Sequence, residues 1–77
     1  MKVLTVYFNN RNTGKKERME FIEGTPVFYD PEDNKIYKPG KKYPGSKEIK
    51  NLDQLISVII AGYGKIINYT IVENPWL

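Results

Sequence analysis

The stretch NLDQLISVIIAGYG, residues 51–64, is the strongest structural signal in this chain, because its apolar residues repeat with the period of an α-helix. Asn51, with Gln54 three residues later, matches a capping box at a helix start. Gly62 and Gly64 provide the backbone freedom that ends a helix. The pattern therefore predicts one amphipathic helix between these signals. Its apolar face consists of Leu52, Leu55, Ile56, Ile59 and Tyr63.

Strand patterns lie on both sides of this helix. Residues 2–8 and 16–23 are rich in β-forming side chains, flank a turn cluster, and together predict a β-hairpin. Residues 27–37, with Asp-Pro-Glu-Asp-Asn in the middle, predict a second, small hairpin. Residues 38–46 contain two Pro-Gly pairs and predict a loop. Residues 65–73 are rich in Ile, Tyr, Thr and Val and predict a final strand, which we expect to neighbour the first.

These elements predict an α+β fold. We expect a small antiparallel β-sheet of about three to five strands, packed on one face by a single α-helix, in the order ββ(ββ)αβ. A chain of 77 residues is long enough for one domain, so we expect residues 1–77 to form a single small α+β domain. The core residues predicted for the first hairpin are Leu4, Val6, Phe8, Met19 and Phe21.

The chain contains no His and no Cys, which narrows its chemistry. It lacks a side chain whose ordinary pKa lies near neutrality, and it lacks a thiolate nucleophile, a disulfide and a soft metal ligand. Asp30, Glu32 and Asp33 could supply carboxylates for catalysis or for a hard cation. However, they lie in a turn that lacks the Gly and the terminal Glu of a calcium loop. We therefore expect no enzymatic activity, no cofactor and no metal site.

The start of the chain has no apolar run of signal-peptide length, and no stretch approaches the roughly 20 apolar residues that span a bilayer. We therefore expect a cytoplasmic protein that makes no membrane contact. Lys, Ile, Asn and Tyr account for 32 of the 77 residues. Their codons are rich in A and T, which indicates a low-GC genome, such as that of a bacterium, a phage or another mobile element.

Lysines are concentrated in one part of the chain. Residues 35–50 contain six lysines and one acid, Glu48, whereas residues 15–34 are acidic overall. Tyr37 and Tyr43 lie within the basic stretch, and lysines interleaved with aromatic rings are suited to a nucleic-acid surface. Against this, the chain has only two Arg and no recognisable nucleic-acid-binding motif. A solvated loop, a nucleic-acid contact and docking onto an acidic protein surface all fit this pattern.

Two further features favour contact with proteins. With Val58 and Ile60 included, the apolar arc of the helix spans about 200°, which is wider than one small sheet covers. Trp76 places a large ring near the end of the sequence, where it could anchor an interface or fold back over the helix or a sheet edge. Val58, Ile60 or an open sheet edge could also mediate a homodimer.

The sequence as a whole favours a non-catalytic binding or regulatory module that acts by stoichiometric protein–protein contact. An inhibitor or accessory protein encoded by a phage or mobile element is one such module. The alternative is a nucleic-acid-binding protein that uses the Lys- and Tyr-rich loop of residues 35–50. The residues predicted to contact the partner are Asp30, Glu32, Asp33, Tyr37, Lys38, Lys41, Lys42, Tyr43 and Trp76.

Overall fold

The computed structural model of the protein describes residues 1–73, which form two three-stranded antiparallel sheets and one α-helix. In chain order the elements are β1 (Lys2–Asn10), β2 (Lys16–Ile22), β3 (Val27–Asp30), β4 (Lys35–Ile36), β5 (Lys47–Ile49), α1 (Leu52–Gly62) and β6 (Gly64–Glu73). The predicted α+β class is confirmed. β5 is an addition to the predicted elements, since two of its three residues are charged and give no strand pattern.

β1 is the central strand of the first sheet, whose order is β2-β1-β6. It pairs with β2 through the predicted hairpin, in a register that sets Val6 opposite Met19. It also pairs with β6, with Val6 opposite Tyr69, so the predicted pairing of the first and last strands is confirmed. The register between β1 and β6 shifts between Tyr7 and Phe8, where β6 carries an extra residue in a bulge.

β3 is the central strand of the second sheet, whose order is β4-β3-β5. Tyr29 pairs with Ile36 on one side and with Lys47 on the other. In the turn between β3 and β4, Asn34 has a positive φ of 56°, and its N–H donates to the carbonyl of Asp30 at 2.7 Å. Asn tolerates this left-handed conformation, which is the reason for its place in the turn. The second predicted hairpin is confirmed.

α1 is capped at both ends. The side chain of Asn51 accepts the N–H of Gln54 at 2.8 Å, as the capping-box pattern predicts. The Gln54 side chain accepts the N–H of Lys50 at 2.9 Å, one residue before the N-cap. At the C-terminal end, Arg11 from the β1–β2 turn donates to the carbonyl of Ile60 at 2.7 Å, where a cation complements the helix dipole. Within residues 1–73 no helix has the length and hydrophobicity needed to cross a membrane.

The core lies between the first sheet, the start of β3 and the apolar face of α1. Its buried residues are Val6, Phe8, Phe21, Val27, Leu55 and Ile59. The side chain of Val58 is only 5% exposed, so the expectation that it could mediate a homodimer is wrong. The side of the apolar helix face on which Val58 lies is therefore buried within the protomer. Ile60 remains exposed.

Tyr63, directly after α1, connects the two sheets and the helix end. Its ring meets that of Phe8 nearly edge to face, with the centroids 5.8 Å apart. Its hydroxyl oxygen accepts the N–H of Ile36 in β4 at 2.8 Å. Its backbone carbonyl accepts the N–H of Arg11 at 2.9 Å. Tyr63 therefore links the end of α1 to β4 and to the end of β1 with its following turn.

We expect Tyr63→Phe to reduce the free energy of unfolding by about 1–3 kcal/mol, because it keeps the ring but leaves the partly buried N–H of Ile36 without its acceptor. Urea unfolding followed by circular dichroism measures this change. Tyr7→Phe is the matched control, because Tyr7 points to the opposite face of β1 from Phe8 and has no side-chain hydrogen bond within residues 1–73. Equal stability of the two variants would contradict the linking role of Tyr63.

Candidate interaction surface

The basic loop of residues 37–46 follows a path made of two tight turns. The N–H of Lys41 donates to the carbonyl of Lys38, at 3.0 Å. The N–H of Ser46 donates to the carbonyl of Tyr43, also at 3.0 Å, and the Ser46 hydroxyl adds a bond to the same carbonyl at 2.6 Å. Each turn contains a Pro-Gly pair whose Gly has a φ of 80°, as in a type II turn. The loop is therefore an ordered part of the structure.

The loop is also attached to the second sheet. The N–H of Tyr37 donates to the carbonyl of Phe28 in β3 at 3.0 Å. The N–H of Gly40 donates to the carbonyl of Pro26, just before β3, at 2.9 Å. Because both of these hydrogen bonds join backbone groups, the backbone of the loop has a fixed position beside the sheet, and its side chains extend from there.

Tyrosines and lysines of this loop form one surface, which we call the lysine–tyrosine patch. It consists of Tyr37, Lys38, Lys41, Lys42 and Tyr43. The rings of Tyr37 and Tyr43 lie with centroids 4.4 Å apart and planes tilted by 43°. Tyr43 is 47% exposed, and all three lysines are exposed. The Nζ of Lys42 lies 5.9 Å from the centroid of the Phe28 ring, within the range of a cation–π contact.

The acidic turn lies beside this patch. Asp30 ends β3, and its Oδ1 accepts the N–H of Glu32 at 2.9 Å, which shapes the turn. Partial desolvation of the Tyr37 hydroxyl raises its pKa, and the Asp30 carboxylate, Tyr43 and the Asp33 carboxylate raise it further. Two carboxylates therefore act on Tyr37, a member of the lysine–tyrosine patch. Within residues 1–73, no three acidic side chains come together in a way that could hold a metal ion.

An open groove of about 410 Å³ adjoins the patch. Lys42, Lys47 and Lys50 line it, together with the single acid Glu48 and the ring of Phe28. The sequence places Lys47 and Lys50 in the basic stretch but does not single them out as a site. Pairing of β5 with β3 brings them beside Lys42, and the charged β5 segment has no strand pattern from which that pairing could be predicted.

The fold therefore places eight of the nine residues predicted to contact a partner on the second sheet and its connections, and it brings Asp30 and Asp33 close to Tyr37. The ninth, Trp76, lies outside the described residues. No family model, no curated protein and no solved structure matches this chain. A functional proposal consequently has to rest on the chemistry of the surface.

Proposed function

We propose that this protein is a non-catalytic binding module that acts on a protein partner by stoichiometric contact. It would serve as an inhibitor or accessory protein of the kind that phages and mobile elements encode. The observation that carries the proposal is the pair formed by the half-buried Tyr37 and the exposed Tyr43, with lysines and carboxylates around it. Aromatic side chains within a polar and charged rim are characteristic of protein interfaces.

The mixed charge of this surface favours a protein partner over nucleic acid. Asp30 and Asp33 lie close enough to Tyr37 to affect its pKa, so the phosphate of a nucleotide bound near that ring would meet two negative charges. Exposed charges act over roughly 8–10 Å at ionic strengths near the physiological value. A protein surface can present acidic groups to Lys38 and Lys41 and basic groups to the turn, and such complementarity selects partner and orientation.

Nucleic acid remains the second candidate because of the groove beside the patch. Lys42, Lys47 and Lys50 line it against one acid, Glu48, and the Phe28 ring supplies a face for stacking. Salt distinguishes the two partners. Contact with phosphates should give a log–log dependence on salt with a slope of about −0.7 to −0.9 per neutralised phosphate, whereas an interface anchored by aromatic rings should depend on salt much less.

The test is affinity capture from a cytoplasmic lysate of the host, with and without nuclease, followed by mass spectrometry and by titration of the purified partner. Two variants disrupt the patch: Tyr43→Ala, and Lys41→Glu combined with Lys42→Glu. The matched control reverses Lys15 and Lys16, a lysine pair that is also exposed and lies at the start of β2. We expect one nuclease-resistant protein, bound at least about tenfold more weakly by both patch variants and unchanged in the control.

Thermal unfolding of each variant checks that the fold is retained, since all substituted side chains are exposed. Capture that collapses on nuclease treatment and is lost on reversal of Lys41 and Lys42 would replace the proposal with nucleic-acid binding. Capture that is equally strong for the wild type and both patch variants would refute the patch as the binding surface.

A further inference from the structure

β5 is an edge strand of the second sheet, and its outer side adjoins the groove that Lys42, Lys47 and Lys50 line. In the sheet order β4-β3-β5, β3 is the one neighbour of β5 among the described strands. Residues of β5, of the preceding loop and of the first turn of α1 form the walls of the groove. A ligand in the groove therefore meets the backbone of an open strand as well as charged side chains.

The hydrogen bonding of β3 shows which backbone groups of β5 face the groove. The carbonyl of Phe28 accepts the N–H of Tyr37, on the β4 side, so the N–H and C=O of Phe28 point away from β5. Phe28 lies opposite Glu48, and the pairs on either side of it carry the hydrogen bonds between β3 and β5. The N–H and C=O of Glu48 therefore point to the open edge.

These two backbone groups of Glu48 have no hydrogen-bond partner within residues 1–73. The N–H groups beside them are already bonded, that of Ser46 to the carbonyl of Tyr43 and that of Lys50 to the Gln54 side chain. An extended peptide presents both a donor and an acceptor to an open strand edge, so it satisfies both groups. Phosphate oxygens are acceptors only and would leave the Glu48 carbonyl without a donor, which favours a peptide as the ligand.

The positive charge of the groove is not neutralised by the described chain. None of its three lysines forms an ion pair within residues 1–73. Glu48, the single acid, lies opposite Phe28 and shares its face of the sheet, whereas Lys47 lies on the other face. A strand that pairs at Glu48 avoids like-charge contact when its residue opposite Glu48 is apolar and lies beside the Phe28 ring. The residues before and after it point to the face of Lys47, where carboxylates are favoured.

We propose that the groove binds an extended segment of the protein partner in which acidic and apolar residues alternate, and that this segment adds a strand to the second sheet at β5. The inference rests on the proposed function, since it requires a protein partner. Backbone pairing at Glu48 orients the segment, and attraction to the lysines selects an acidic segment over a basic one. Lys41 and Tyr43 do not line the groove, so the groove can be tested separately from the patch.

NMR titration of the full chain tests this proposal, because amide shifts detect weak binding and locate it. The probe is the peptide Glu-Val-Glu-Val-Glu with blocked ends, and the control peptide carries Gln in place of each Glu. We expect the largest shift changes at residues 46–50 and a dissociation constant at least about tenfold lower for the acidic peptide. Lys47→Glu combined with Lys50→Glu should raise that constant at least about tenfold.

Two substitutions at position 48 separate backbone pairing from charge. Glu48→Pro removes the outward N–H, and proline is tolerated in an edge strand where its nitrogen faces away from the ladder. Glu48→Ala is the matched control, because it removes the same carboxylate and keeps the N–H. We expect Glu48→Pro to bind the acidic peptide about fivefold more weakly than Glu48→Ala does. Thermal unfolding checks both variants, and the lysine reversal decides the test if Glu48→Pro does not fold.

Absence of binding by the acidic peptide at millimolar concentration would overturn the proposal, as would equal affinity of the two position-48 variants or binding that the lysine reversal leaves unchanged. Oligothymidine of matched charge is the further probe, and shift changes at residues 46–50 with it alone would assign the groove to nucleic acid. Partner capture that is weakened by the patch variants but not by reversal of Lys47 and Lys50 would overturn the groove inference alone. Failure to capture any nuclease-resistant protein would instead contradict the proposed function.

Discussion

Gly64→Ala is expected to reduce the free energy of unfolding by about 3 kcal/mol or more. Gly64 has a φ of +157°, a conformation that side chains rarely adopt, and it lies where the chain turns from α1 into β6. A Cβ at this position would overlap the carbonyl oxygen of Asn9 and lie 3.0 Å from its carbonyl carbon. Because these atoms belong to the backbone of β1, no side chain can move aside to make room.

Gly14→Ala is the matched control for Gly64. Gly14 has a φ of +72°, and a Cβ there meets nothing within 4 Å, so only the backbone conformation opposes the substitution. We expect this variant to lose about 1–2 kcal/mol. Urea unfolding of both variants separates steric overlap from backbone strain. If the two variants lost the same amount, the close approach of β1 and β6 at Gly64 would not be a determinant of stability.

Phe8→Ala is expected to have the second large effect, a loss of about 3–5 kcal/mol. The Phe8 side chain is 1% exposed, belongs to the core under α1, and meets the Tyr63 ring nearly edge to face. A domain of this length has a total stability of roughly 4–12 kcal/mol. Removal of the ring should therefore take away a large share of the total stability, and a total at the low end of this range would leave the variant mostly unfolded at about 25 °C.

The unfolded fraction of Phe8→Ala can be measured from far-UV circular dichroism and from the dispersion of the amide NMR spectrum. Phe8→Leu serves as the control, because it keeps most of the buried volume and should lose less than about 2 kcal/mol. An alanine variant as stable as the leucine variant would show that the cavity collapses and that the contact between Phe8 and Tyr63 does not hold the core together.

Much of the fold could be predicted from local pattern. The helix start at Asn51 was predictable because its cap depends on residues within one turn. The hairpins were predictable because the turn chemistry, such as Asn34 at a positive φ, is local as well. β5 was not predicted, because two of its three residues are charged and give no strand pattern. It forms a strand only by pairing with β3. Division of the strands into two sheets likewise depends on contacts between distant segments.

The candidate site shows the same division. Its composition was visible in the sequence as lysines and tyrosines in residues 35–50. The contact between the tilted rings of Tyr37 and Tyr43 was not visible, and neither was the approach of Asp30 and Asp33 to Tyr37, because these contacts join the loop to itself or to the preceding hairpin. These contacts change the interpretation from a basic loop to a surface of mixed charge. That change is the physical ground for favouring a protein partner.

The exposure of β6 to solvent was the feature that local sequence pattern predicted least well. Residues 65–73 are apolar at both odd and even positions, which is typical of a strand buried on both faces. The tertiary structure instead places β6 at an edge of the first sheet, where β1 is its one neighbour among the described strands. Hydrophobic periodicity and turn chemistry thus specified the elements, since they act within a few residues. The sheet edges and the exposed surfaces followed from which distant segments pack together, and no single segment of the sequence contains that information.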